Sequence, residues 1–197
     1  MYVKDEISNS ITIEKSQFIA YLKRCKTEDE FKDYLNQIKK KHYDASHVCS
    51  AYISNNIKRS NDGGEPSGTA GRPILNVLEK NNLEETCALV VRYFGGIKLG
   101  TGGLTRAYSS CVSEALKKAQ LAKEIAYPLY QLIVDYETAN RIEYFIQNST
   151  ILINKEYDEK VKIEFAIDNQ DKIDKIVELT KGINPTYIKD IVRETLI

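Results

Sequence analysis

Apolar positions recur along the chain with two periods, and the changes of period mark its elements. Glu6–Ile13 and Gln17–Arg24 read as two strands joined by a polar turn at Glu14–Ser16. Phe31, Tyr34, Leu35 and Ile38 then recur at helical spacing. Thr27 and Glu30 ahead of them have the spacing of a capping box, and Lys39–Lys41 suits the negative end of the helix dipole. Ser46–Ser54 reads as a strand, Asn55–Gly71 as a long polar loop containing glycine, and the segment from Arg72 as a helix with Pro73 in its first turn. Glu85–Phe94, "ETCALVVRYF", is almost continuously apolar, as expected of a strand buried on both faces. Leu104, Ala107, Tyr108, Cys111, Val112, Ala115, Leu116 and Ala119 trace one helical stripe, with Thr101 or Gly102 as the expected cap and Lys117 and Lys118 at its end.

The organisation restarts around Ala122–Ala126. Pro128–Asp135 reads as a strand and Glu137–Gln147 as a helix. Ile151–Tyr157 and Val161–Ile167 read as a hairpin, Ile173–Thr180 as a helix ended by Gly182 and Pro185, and Thr186–Leu196 as a strand. The order β-α-β-β-α-β is that of the ferredoxin-like split βαβ plan. The expected class is α+β, with domains at 1–122 and 123–197.

Charge sharpens this division. Lys+Arg and Asp+Glu both number 28, so the chain as a whole is not a basic nucleic-acid binder. Residues 1–122 carry 18 basic and 14 acidic side chains, net +4; residues 123–197 carry 10 and 14, net −4. Cys25, Cys49, Cys87 and Cys111 are scattered among apolar neighbours with no C-x-x-C pair, which reads as buried thiols in a reducing compartment. The opening "MYVKDEISNS" lacks a signal-peptide core and no apolar run is long enough to span a membrane, so the expectation is a cytoplasmic protein with no membrane partner.

The candidate chemistry lies at the junction "VVRYFGGIKLGTGGLTRAY", Val90–Tyr108. It places Gly95, Gly96, Gly100, Gly102 and Gly103 between a buried strand and a helix, with Arg92, Lys98 and Arg106 on or near it. A glycine-rich approach to a helix exposes backbone N–H groups where the dipole is positive, which suits an anion. The same glycines also permit a tight turn and close packing, and from pattern alone the two readings stand level. Neither a Walker A loop nor a Rossmann fingerprint is present, and no G-x-S-x-G or H-E-x-x-H motif occurs. His42 and His47 do not have a zinc spacing; no metal or cofactor is expected.

"DGGEPSGTAGRPILNVL" (Asp62–Leu78) and the Val90–Tyr108 stretch resemble the signature of the IMPACT/YigZ family, two-domain bacterial type, without departure. The resemblance extends to the order of elements along the whole chain. It implies an N-terminal left-handed βαβ domain similar to elongation factor G domain IV and a ferredoxin-like C-terminal domain. The family's eukaryotic member is a translational regulator acting through protein contacts, with a different accessory domain. For the two-domain bacterial proteins the resemblance implies nucleic-acid or ribosome binding and no settled reaction.

Three readings follow. The leading one is a non-enzymatic, translation-associated protein that contacts RNA, the ribosome or a translation regulator through one face. Arg72, Arg92, Lys98 and Arg106 would supply charge, and Gly95, Gly96, Gly100, Gly102 and Gly103 would supply N–H donors. Tyr93 and Phe94 would stack on bases, although aromatics that end a buried strand are usually core. The second is an enzyme or binder of a phosphorylated small molecule or nucleotide, using Asp62, Glu65, Ser67 and Thr69; acidic residues there are also common turn formers. The third is a pure protein–protein module. The loop carrying Asp62, Gly64, Glu65, Pro66, Ser67, Gly68 and Thr69 is expected beside the glycine junction, with Arg92 paired to Asp62 or Glu65.

Overall fold

The computed structural model describes every residue, Met1–Ile197, and the chain divides into two units: Met1–Lys123 with Leu196–Ile197, and Glu124–Thr195. The class is mixed α+β, with two five-stranded sheets and five helices. No helix is long and apolar enough to cross a membrane.

In the first unit a short strand, β1 (Tyr2–Val3), precedes β2 (Ile7–Ile13) and β3 (Ser16–Arg24), which pair antiparallel. Helix α1 (Glu28–Lys41) starts where Thr27 accepts from the Glu30 N–H, and the Glu30 carboxylate accepts from the Lys26 N–H. β4 (His47–Ser54) is followed directly by β5 (Ile57–Asn61). The long loop expected at 55–71 is thus interrupted by an edge strand, which pairs with β4 and leaves all its side chains exposed. Helix α2 (Gly71–Lys80), β6 (Thr86–Tyr93) and α3 (Gly100–Lys118) complete the unit.

The sheet order is β2-β3-β6-β4-β5, with β6 antiparallel to both neighbours. One face of β6, through Ala88 and Val90, joins a core with Phe18, Ile74, Leu78, Tyr108 and Val112 of β3, α2 and α3. The other, through Cys87, Leu89 and Val91, packs on Phe31, Tyr34 and Ile38 of α1. Two-sided burial explains why this strand reads as an unbroken apolar run.

The second unit is built from β7 (Leu121–Val134) from Glu124 on, α4 (Tyr136–Ser149), β8 (Ile151–Tyr157), β9 (Val161–Ala166), α5 (Gln170–Leu179) and β10 (Thr186–Leu196) up to Thr195. β7 begins seven residues before the expected Pro128, so Ala122–Ala126 lies within a strand. β7 pairs with β9, β9 with β8, and β10 with β7; β1, paired with Leu121 and Ala122 at the start of β7, is the fifth strand of this sheet. Leu132, Val134, Ile163 and Phe165 face Ile142 and Ile146 of α4 and Ile176 of α5. Asp135 caps α4 and Asn169 caps α5.

Candidate functional site

Two loops lead into helices on the same side of the first sheet, and they solve the problem of unpaired N–H groups differently. The loop after β5 closes on itself. Asp62 Oδ2 accepts from the Gly68 N–H at 2.8 Å, and Oδ1 accepts from Ala70 at 3.0 Å and Gly71 at 2.8 Å. Burial acts to raise the Asp62 pKa, but these three bonds outweigh it and hold the carboxyl below its ordinary range. Asp62 is therefore the anion at the start of α2, and its oxygens are committed there. Thr69 is likewise spent on the Pro66 carbonyl, at 2.6 Å. Ser67, Gly64 and Gly68 are exposed on the outer side of this loop.

The glycine junction after β6 is different. Helix α3 begins at Gly100, four residues before the apolar stripe, so Gly100, Gly102 and Gly103 lie in its first turn rather than in a loop. Neither Thr101 nor Gly102 is the cap. The cap position is Leu99, and no side chain bonds to the first N–H groups. Gly95 crosses the β2–β3 turn so closely that a Cβ there would strike the Lys15 backbone. Its N–H donates to Ser16 Oγ at 3.1 Å. Gly96 has φ +88, which side-chain-bearing residues rarely adopt.

The sheet register puts Arg92 directly between Phe18 of β3 and His47 of β4. Arg92 is 4% exposed, and its guanidinium donates to Glu65 Oε1 at 2.6 Å. The pairing is with Glu65, not Asp62. Tyr108 of α3 donates to the same Oε1 at 2.8 Å, and Arg92 also reaches Ser16 Oγ at 3.4 Å. Burial, reinforced by Cys49 and Glu65, drives the Tyr108 phenol far above its ordinary pKa, so it remains a donor. Burial also pushes the Cys49 thiol up to about 12. A guanidinium enclosed this way braces the two loops and does not reach a phosphate in solution.

Above this pair opens a cleft of about 460 Å³, lined by His47, Glu65, Pro66, Arg92, Phe94, Lys98, Leu99, Gly100, Thr101 and Leu104. Both loops therefore contribute walls. Phe94 is 48% exposed, and its ring lies 5.3 Å from the Arg92 guanidinium carbon. Lys98 is exposed and also borders a second depression that holds Arg106 and Gly103. Arg72 is elsewhere: it points along α2 to Glu79, at 3.4 Å. Three residues that the sequence does not bring to the site belong to it. Ser16 and Tyr108 read as turn and core, and His47 reads only as a metal ligand of the wrong spacing. No group of three or more acidic, His or Cys side chains is arranged to hold a metal.

Residues 14–116, which contain both loops and the cleft, match the family model described as the Impact N-terminal domain. The chain belongs to the IMPACT family. It is 42% identical over 187 residues to the IMPACT family member YvyE of Bacillus subtilis, covering 91% of this chain and 86% of that protein. It is 35% identical over 161 residues to IMPACT family member YigZ of Escherichia coli, covering 79% of each. A crystal structure of a hypothetical protein superposes with a TM-score of 0.61 at 30% identity, over 95% of this chain and 96% of that one. The family's motif residues fall on both loops: the Asp62-capped one and the uncapped one that leads into α3.

Proposed function

We propose that this chain is a non-enzymatic, translation-associated binding protein that takes single-stranded RNA in the cleft of its first unit. The observation that carries the reading is the grouping of exposed Phe94 and Lys98 with the uncapped N-terminus of α3 on one concave surface. Unpaired N–H groups and a lysine suit a phosphate, and a half-exposed ring beside them suits a base. The link to translation comes from the family's eukaryotic regulator. Two further readings of the fold accompany it. The parallel pair β3 and β4, split by β6, supports a left-handed βαβ domain of the elongation factor G domain IV type. The order β10-β7-β9-β8 supports a ferredoxin-like second domain.

One observation favours the phosphorylated small molecule as a second reading: the cleft volume lies within the range of small-ligand sites. Fluorescence anisotropy with short oligoribonucleotides tests the leading one. Binding should weaken as salt rises. Lys98→Ala should lower the salt slope by roughly 0.7, and Phe94→Ala should cost about 1–3 kcal/mol. Binding that ignores both salt and these substitutions would place RNA elsewhere.

A further inference from the structure

The floor of the cleft holds two acceptors that no donor of the protein reaches, beside one buried donor, Arg92 Nε, that has no acceptor. Glu65 uses Oε1 for both Arg92 and Tyr108, while Oε2 receives no hydrogen bond although the side chain is only 3% exposed. His47 Nδ1 lies 3.1 Å from the Gly63 carbonyl. A carbonyl can only accept, so Nδ1 carries a proton, and in that tautomer of the neutral ring Nε2 presents a lone pair. That lone pair is 3.9 Å from Glu65 Oε2, too far for a hydrogen bond. Glu65 Oε2 opens onto the cleft, and two acceptors facing each other there suit a donor group from outside.

We infer that this floor reads the Watson–Crick edge of guanine, so that the cleft selects a guanine nucleotide. The charge of Glu65 is already balanced by Arg92, which removes the need for a metal ion or an ammonium and favours neutral N–H donors. Guanine alone among the RNA bases offers two adjacent donors, N1–H and N2–H₂, on that edge. Adenine and cytosine would turn a ring-nitrogen acceptor toward the pair, and uracil offers one donor between two carbonyls. Phe94, Leu99 and Pro66 give the base apolar walls, and Lys98 with the first turn of α3 receives its phosphate. The phosphate half rests on the function proposed above; the base-reading half rests on Glu65 and His47. The guanine 5′-phosphate comes either from an RNA strand or from free GMP.

The test uses the full chain and U-rich hexaribonucleotides with one central G, inosine or A, together with GMP and IMP as competitors. Inosine lacks only the N2 amino group, so the comparison needs no protein variant. G should bind roughly tenfold or more tighter than inosine or A, and His47→Ala should narrow that gap while the protein stays folded by circular dichroism. Hexamers that bind equally whatever the central base overturn guanine reading and leave the RNA function standing. Hexamers that fail to bind while GMP, titrated directly by calorimetry, binds tighter than IMP sink the RNA function and keep guanine reading, with the free nucleotide as ligand. If neither discriminates G from inosine, the inference falls.

Discussion

Helices α2 and α3 start from the same difficulty, first N–H groups that lack partners, and end with opposite surfaces. At α2 the chain supplies its own anion: Asp62 reaches forward to the Gly68, Ala70 and Gly71 amides and seals the turn. At α3 no side chain does so, and Leu99 occupies the cap position. One loop is self-contained and structural; the other leaves its donors facing a cleft. Glycine content alone does not separate them. What separates them is whether a carboxylate lies within reach.

The largest expected effect strikes the brace that joins the two loops. Arg92→Ala leaves the Glu65 carboxylate buried and uncompensated and should cost about 3–5 kcal/mol in urea unfolding. A loss below ~1 kcal/mol would show that the loops do not depend on this pair. Next is Gly95→Ala, whose Cβ would press on the Lys15 backbone; a loss of roughly 1–3 kcal/mol is expected.

Asp62→Ala should cost about 1–2 kcal/mol through loss of the α2 cap. Because the folded pKa of Asp62 is depressed, its contribution is present above the unfolded value of 3.8 and fades as the pH drops through the folded pKa. Asp62→Asn should therefore flatten the acid limb of the stability–pH curve. An unchanged acid limb would mean that α2 is no better capped than α3. The smallest effect on stability is expected from Lys98→Ala, within about 0.5 kcal/mol of the parent, because the residue is exposed. Its effect belongs in the anisotropy titration, and a substantial loss of stability would show that the loop before α3 is structural too.

Features set by local periodicity were legible in the sequence. The Thr27 cap, the α3 stripe and the doubly buried β6 each follow from residues a few positions apart. β5 was hidden because "IKRSN" buries nothing and is a strand only through its pairing with β4. The start of α3 was hidden because its first turn is written in glycine, whose helix propensity is poor. In the site, Arg92 required a buried partner, but its choice of Glu65 over Asp62 depended on a capping role that emerges only when the loop is folded. Tyr108 and Ser16 are separated from Arg92 in sequence and meet it only through sheet register and helix packing. His47 gave no signal in its spacing; its position opposite Arg92 does.

The position of β6 in the first sheet also governs when that sheet can form. β3 and β4 are never neighbours, because the strand between them is made about forty residues after β4 begins. Until Tyr93 has left the ribosome, the growing chain has two hairpins, β2–β3 and β4–β5, and no centre to hold them together. Every long-range pairing within that sheet waits for one late segment, which raises contact order and slows assembly. That segment is apolar on both faces and is exposed until it inserts, so it is the stretch of the nascent chain most in need of protection from aggregation.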